Sequence, residues 1–316
     1  MKIAYLGPSG TFSEEAARLC ANEGDELIPF SSFPALISAV ETSVADVAVL
    51  PIENSLEGSV STTLDLLIHE TRLQIQREVV VPVHHCLVGV PGASITGIEH
   101  VHSHPQALGQ CRRFLTRVLP DAHEHAALST AQSVQQAVEN GDPAHAGIGT
   151  ARAAERFGGE ILAQNIEDYP NNATRFIALA ERDHAPTGKD KTSMAISGPQ
   201  NVPGSLYNVL DELAADGIQM TKLESRPNKN VLGQYYFLID IEGHRLDKEI
   251  AAALERIRAK ADNFQIWGSY PQFTDGNFTS ASSQWFSVRG RDVYPHCSPL
   301  RVRCLHPVSN PAFART

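Results

Sequence analysis

The stretch Lys2-Ile3-Ala4-Tyr5-Leu6-Gly7-Pro8-Ser9-Gly10-Thr11-Phe12-Ser13-Glu14-Glu15-Ala16-Ala17 decides how the rest of the chain is read. Lys2–Leu6 has strand composition, and Gly7-Pro8-Ser9-Gly10 is a turn. Ser13 reads as the N-cap of a helix over Ser13–Asn22, with Glu14 and Glu15 in the first turn, where the helix dipole favours carboxylates. Strand, glycine-rich turn and helix open a βαβ unit. Such a turn also gathers free amides and the hydroxyls of Ser9 and Thr11 around one point, which suits a carboxylate ligand.

The alternation continues to about residue 180. Glu26–Phe30, Asp46–Leu50, Val79–Val90, Glu99–His102, His145–Gly149 and Thr174–Ala180 read as strands. Phe33–Val40, Val60–Ile68, Pro105–Val118, Thr130–Glu139 and Ala151–Phe157 read as helices. Strands alternating with helices imply an α/β fold with mostly parallel sheets. The break around Pro82 suits a crossover into a second lobe, and the run near 165–180 suits a return. The expectation is two α/β lobes with a cleft between them, lobe one over 1–78 and 166–182 and lobe two over 79–165. Residues 181–191 have linker composition. Residues 191–271 then follow a β-α-β-β-α-β order, the ferredoxin-like α+β unit.

Residues 271–316 contain no Lys and no Glu, but five Arg, five Pro and six Ser. They show no helical or strand period, so 272–316 is expected to be an atypical, disordered tail.

Bulk properties narrow the function. A length of 316 residues suggests about two domains at roughly 100–200 residues each. A net charge of −10 argues against nucleic acid and anionic lipid as partners. No apolar run approaches the ~20 residues of a membrane span, and no signal-peptide pattern is present, so a cytoplasmic location is expected. Five cysteines without a CxxC pair read as reduced thiols.

Three further segments carry candidate chemistry. Pro51-Ile52-Glu53-Asn54-Ser55 follows a buried-type strand, at the carboxyl end where α/β folds place ligands. Asn54 and Ser55 offer neutral donors and acceptors there. In Ser103-His104-Pro105-Gln106-Ala107-Leu108-Gly109-Gln110, Pro105 fits a first helical turn, so Ser103 or His104 lies at the cap. His100, His102 and His104 alternate and would share a strand face. A metal site there is set aside because no Cys or carboxylate stands at ligand spacing. Finally, Asn171-Asn172-Ala173-Thr174-Arg175-Phe176 opens an apolar strand with a hydroxyl, a cation and an aromatic ring in succession.

In this order the four segments resemble the prephenate dehydratase family: a GPxGTFS turn, a PIENS loop followed by Gly58-Ser59, an SHPQAL segment and a Thr-Arg-Phe motif. Farther on, Gly204-Ser205-Leu206-Tyr207 is similar to the GALx-type loop of ACT domains, with Ser205 where Ala is frequent. Glu224-Ser225-Arg226-Pro227 matches the ESRP motif. The resemblance spans residues 1 to about 271.

The resemblance implies a two-lobed periplasmic-binding-protein-like catalytic domain followed by an ACT domain. The activity it implies is the loss of water and CO2 from prephenate without a cofactor or metal. It implies Thr174, Asn54, Ser103 and Gln110 as the catalytic set. Thr11, Ser9, Ser55, Arg175 and Phe176 would be substrate contacts. Gly204, Ser205, Leu206, Tyr207, Glu224, Ser225, Arg226 and Pro227 would bind regulatory phenylalanine between subunits of a homodimer or homotetramer. Arg175 is read either as a carboxylate anchor or as a scaffold residue, and Glu53 is expected to be paired or turned away from a dianion. The alternatives are an arogenate dehydratase, which shares the motifs, and a non-catalytic two-lobed amino-acid-binding module.

Overall fold

Ile3, Ala4 and Tyr5, and again Val47, Ala48, Val49 and Leu50, are buried in unbroken runs, so the strands they form build a sheet covered on both faces. The computed structural model describes residues 1–198, 203–228 and 234–274, and Met1–Phe273 form one compact unit. The elements run β1 (Lys2–Leu6), α1 (Phe12–Cys20), β2 (Glu26–Phe30), α2 (Phe33–Glu41), β3 (Val47–Asn54), β4 (Gly58–Ser59), α3 (Ser61–His69) and β5 (Gln74–Pro82). The second lobe holds β6 (Cys86–Gly89), β7 (His100–Ser103), α4 (Pro105–Gln110), α5 (Arg112–Val118), β8 (His123–Ala126), α6 (Thr130–Asn140), β9 (His145–Gly149), α7 (Ala151–Phe157) and β10 (Glu160–Ala163). β11 (Ala173–Ala180) returns to the first lobe.

The first sheet has the order β2-β1-β3-β11-β5 and the second β10-β6-β9-β7-β8. Both are mixed rather than mostly parallel, because β11 runs antiparallel to β3 and β5, and β6 antiparallel to β9 and β10. The crossover falls after Pro82 rather than at 79, since β11 pairs with β5 as far as Ala173 opposite Pro82. Thr11, not Ser13, caps α1: its backbone is extended and its hydroxyl accepts from the Glu14 amide at 3.4 Å. The helix expected over Pro105–Val118 breaks at Cys111 into α4 and α5.

The two faces of the first sheet have different neighbours. Ile3, Tyr5, Val47, Val49, Phe176 and Ala178 pack with Ala16, Ala17 and Cys20 of α1. Ala4, Ala48, Leu50, Ile177 and Leu179 pack with α2 and α3, and with Ala195, Tyr236, Leu238, Trp267 and Tyr270 from farther along the chain. Each fully buried Val, Leu or Ile side chain here contributes about 1.5–3 kcal/mol. Those later residues belong to β12 (Asp190–Ser197), α8 (Ser205–Ala215), β13 (Met220–Pro227), β14 (Tyr235–Glu242), α9 (Lys248–Lys260) and β15 (Asn263–Pro271). They form an antiparallel sheet of order β13-β14-β12-β15, the ferredoxin-like arrangement. One face carries α8 and α9 through Met194, Ile196, Val209, Leu213, Leu254 and Ile257, and the other lies on the first lobe. The tail expected over 272–316 lies, from residue 275, outside the described residues.

One glycine sets the position of α6. A Cβ on Gly147 would stand 2.6 Å from the Ser133 carbonyl, so only glycine lets α6 lie this close to β9. The start of α6 is thereby brought to the cleft.

In the second sheet His100 lies opposite His123 and His145, and His102 opposite His125. Five imidazoles consequently meet on one face, with His100 Nδ1 3.0 Å from His125 Nε2 and His102 Nε2 2.9 Å from His145 Nδ1. Burial, and then the neighbouring His125, His145 and His100, push His102 down from 6.5 to about 4. An unfolded chain takes up the proton at the higher pH, so stability is greatest above about 6.5 and is lost as pH falls towards 4. Thermal unfolding across that window should show a falling Tm, and His102→Asn should flatten the slope. An unchanged slope in the variant contradicts this origin.

Candidate active site

A cavity of about 280 Å³ opens between the lobes. That lies just under the roughly 300 Å³ at which small-molecule sites begin, which suits one ring with short substituents. Leu6, Phe12, Ser13, Asn54 and Thr174 line it from the first lobe, and His104, Gln106, Gln110, Ser129 and Thr130 from the second. Val83 and His85 line it from the crossover. Past His104 and Leu128 it meets a second hollow of about 590 Å³ bordered by Ala126, Gln132 and Gln136. The larger hollow does not reach Asn54, Gln110 or Thr174, so the chemistry is assigned to the smaller one.

A chain of hydrogen bonds crosses the floor of the cleft, and its direction is fixed by the backbone. Asn54 Oδ1 accepts from the amides of Leu56 at 3.0 Å and Glu57 at 3.1 Å. A backbone amide only donates, so the Asn54 side chain is held with Nδ2 towards β11. Nδ2 donates to Thr174 Oγ1 and to Asn172 Oδ1, both at 2.9 Å. With Asn172 Oδ1 so used, its Nδ2 donates to Gln110 Oε1 at 3.1 Å. Gln110 Oε1 also faces His85 Nε2 at 3.0 Å. Two consequences follow for a ligand. Thr174 receives a bond on oxygen, so its own proton is free for the cleft. Gln110 spends its carbonyl oxygen on the protein and turns its NH2 to the ligand.

The cleft contains no Lys or Arg among the described residues that line it. Three helix starts converge instead: α1 at Phe12 and Ser13, α4 at His104 and Gln106, and α6 at Ser129 and Thr130. First-turn amides lack helical acceptors and sit at the positive end of the dipole, an arrangement that suits an anion without a salt bridge. Gly10, in the left-handed region at φ 90°, carries the α1 turn against the second lobe, where Thr150 Oγ1 donates to its carbonyl at 2.8 Å.

The structure brings Asn54, Gln110 and Thr174 together and directs the other expected residues elsewhere. Arg175 follows Thr174 on a strand, so it points to the opposite face. There it meets Asp240 at 2.9 Å, and Glu78 and Glu53 each at 3.2 Å. Burial opposes its charge, but Asp240, Tyr270 and Glu78 outweigh that and hold the pKa above the usual arginine value. The scaffold reading of Arg175 therefore replaces the substrate-anchor reading. Glu53 pairs with Arg175 and with Lys222 at 3.1 Å, away from the cleft.

Ser103 is fully buried and donates to the Ile148 carbonyl at 2.8 Å, since β7 alternation turns it inward. Ser9 bonds the Tyr5 hydroxyl, Thr11 caps α1, and Phe176 lies in the core. Ser55 accepts from the Ala173 amide at 3.0 Å and so fixes the start of β11. His104 does not join His100 and His102: β7 ends at Ser103, and His104 caps α4. No group of three or more His, Cys, Asp or Glu side chains is arranged to hold a metal among the described residues.

Sequence reasoning missed His85, Asn172 and the Ser129–Thr130 turn. The last had a readable signal, a Ser three residues before Gln132, which is a capping-box spacing. Ser129 indeed accepts from the Gln132 amide at 3.1 Å.

Fold and cleft together define a two-lobed, periplasmic-binding-protein-like α/β enzyme with a ferredoxin-like domain on its back. The family model for prephenate dehydratase matches residues 3–184. A bifunctional chorismate mutase/prephenate dehydratase from Neisseria gonorrhoeae is 44% identical over 271 residues, covering 86% of this chain and 74% of the relative. Among solved structures, a prephenate dehydratase in complex with L-Phe from Arthrobacter aurescens is 34% identical with a TM-score of 0.78, over 90% of this chain and 98% of that one. A structure described as a novel type of quorum quenching acylase, GqqA, is also 34% identical with a TM-score of 0.78, over 86% and 98%. The chain belongs to the prephenate dehydratase family and is a carbon–oxygen lyase.

Proposed function

We propose that the cleft converts prephenate to phenylpyruvate, with Thr174 as the group that hydrogen-bonds the leaving hydroxyl. The observation that carries this is the bond from Asn54 Nδ2 to Thr174 Oγ1, which leaves the threonine proton directed at the ligand. In the reaction the ring C–O bond and the bond from ring to carboxylate both break. The electron pair of the broken C–C bond becomes part of the aromatic ring, CO2 departs, and the hydroxyl leaves with one proton as water. Thr174 stabilises the oxygen as it takes on negative charge and passes on a proton regained from solvent. A threonine hydroxyl is a weak acid, so its effect comes from position and from a hydrogen bond that strengthens in the transition state.

Holding the ligand by amides rather than by Arg or Lys serves the decarboxylation. A carboxylate locked in a salt bridge would be stabilised in its ground state and would resist becoming neutral CO2. Thr174→Ala should lower kcat for phenylpyruvate formation by about a hundredfold or more, while Thr174→Ser keeps most of the rate. A loss below about tenfold overturns the assigned role. The same assay with arogenate separates the two dehydratase specificities.

The ferredoxin-like domain is proposed as an ACT domain that binds inhibitory phenylalanine between copies of a cytoplasmic homodimer or homotetramer. Gly204–Tyr207 and Glu224–Pro227 would supply the binding site. Among the described residues no helix is long and apolar enough to cross a membrane. In one chain Glu224 already bonds Ser59 at 2.5 Å, and Arg226 bonds Asp65 at 2.6 Å. An amino acid that rearranged this strand would therefore act on the loop after Asn54. Arg226→Ala should raise the phenylalanine concentration for half-inhibition about tenfold, within the range of ordinary allosteric coupling. Inhibition equal to that of the unaltered enzyme contradicts this assignment.

A further inference from the structure

We propose that His85 and Asn172 are positioning residues of the dehydratase site: together they hold the carbonyl oxygen of Gln110 and so present its NH2 group to the substrate. This rests on the reading of Gln110 as a substrate contact. Neither residue is an obvious catalytic group. His85 is 2% exposed and Asn172 is 1% exposed. They occupy the two segments that join the lobes, His85 between β5 and β6 and Asn172 just before β11.

The tautomer of His85 follows from its surroundings. Its Nδ1 is buried and has no hydrogen-bond partner. A proton there would be a buried donor with nothing to accept it. The proton therefore sits on Nε2, which donates to Gln110 Oε1 at 3.0 Å. The direction agrees with the one reached independently from the far end. The Leu56 and Glu57 amides orient Asn54, Asn54 orients Asn172, and Asn172 donates to the same Gln110 oxygen. Two donors from two lobe connections thus converge on one acceptor. Were Gln110 reversed, its NH2 would meet two donors, and a carbonyl oxygen would face an anionic ligand.

Burial, more than the groups around the ring, disfavours its charged form. Burial lowers its pKa, against the opposing bond to Gln110 and the charge of Glu167. Glu167 is itself occupied, accepting from the His85 amide at 2.9 Å and facing His84 Nδ1 at 2.8 Å. Phe12 of α1 closes the other side, edge-on at 5.7 Å between ring centroids. Phe12 and Gln110 both line the cleft, so the imidazole ties the floor to the wall.

The test compares His85→Leu with His85→Gln, which restores an amide N–H within reach of Gln110. His85→Leu should reduce kcat/KM by about ten- to a hundredfold with thermal stability retained. His85→Gln should recover most of that loss. Equal activities of the two variants, or His85→Leu within about threefold of the unaltered enzyme, overturn the proposal. Nitrogen NMR of histidine-labelled, unaltered protein gives a second readout that needs no variant. It should show His85 protonated on Nε2 and bare on Nδ1 near neutral pH, and the opposite tautomer overturns the proposal. If Thr174→Ala loses its rate while His85→Leu does not, this proposal alone fails. If Thr174→Ala is also fully active, the dehydratase reading of the cleft fails first.

Discussion

Two backbone amides, those of Leu56 and Glu57, can only donate, and both donate to Asn54 Oδ1. This constraint orients Asn54 and, through it, Asn172 and Gln110 across the cleft floor. Side-chain amides are otherwise symmetric in shape, so a network built only of Asn and Gln could run in either direction. Anchoring one member to the main chain removes the ambiguity and sets donors towards the cleft. The cost of reversing any one link is a buried donor facing a donor, about 1–3 kcal/mol, which the rest of the chain would have to absorb.

Strand β11 shows how one piece of backbone serves two domains. Its period of two sends Thr174 to the cleft and Arg175 to the opposite face, where Asp240 and Glu78 receive it beneath the ferredoxin-like sheet. Lys191 pairs with Glu78 and Ser193 with Asp240, so the buried guanidinium is embedded in a set of satisfied partners. Removing one partner of such a buried pair costs about 3–5 kcal/mol. Any shift of the ferredoxin-like sheet therefore pulls on a residue bonded directly to Thr174. No long relay separates the ferredoxin-like sheet from the cleft.

Much of this was legible in the sequence, and the reasons for the failures are specific. The alternation of strand and helix, the β-α-β-β-α-β order and the Asn54–Gln110–Thr174 grouping followed from pattern and motif resemblance. The antiparallel course of β11 did not, because periodicity carries no direction. Ser103 and Arg175 sit in the right motifs but face the wrong way for substrate, since one residue along a strand exchanges core for cleft. His85 looked like one of several unremarkable histidines. Only its burial, and the orphaned Nδ1 that the fold gives it, distinguish it from His84 next to it. Asn172 lay within a quoted motif, yet nothing local says that it spans from Asn54 to Gln110, residues 62 positions or more away in sequence.

The most direct test exchanges a single group at the anchor. In Asn54→Asp the NH2 becomes an oxygen, so residue 54 can still accept from Leu56 and Glu57 but can no longer donate to Thr174 or Asn172. Thr174 would then spend its proton inside the protein, and Asn172 and Gln110 would reverse. In the folded variant kcat for prephenate should fall by about a hundredfold or more, and adding Thr174→Ala should cost little further. A variant within a few-fold of the unaltered enzyme, or losses that multiply in the double variant, would contradict this role of Asn54.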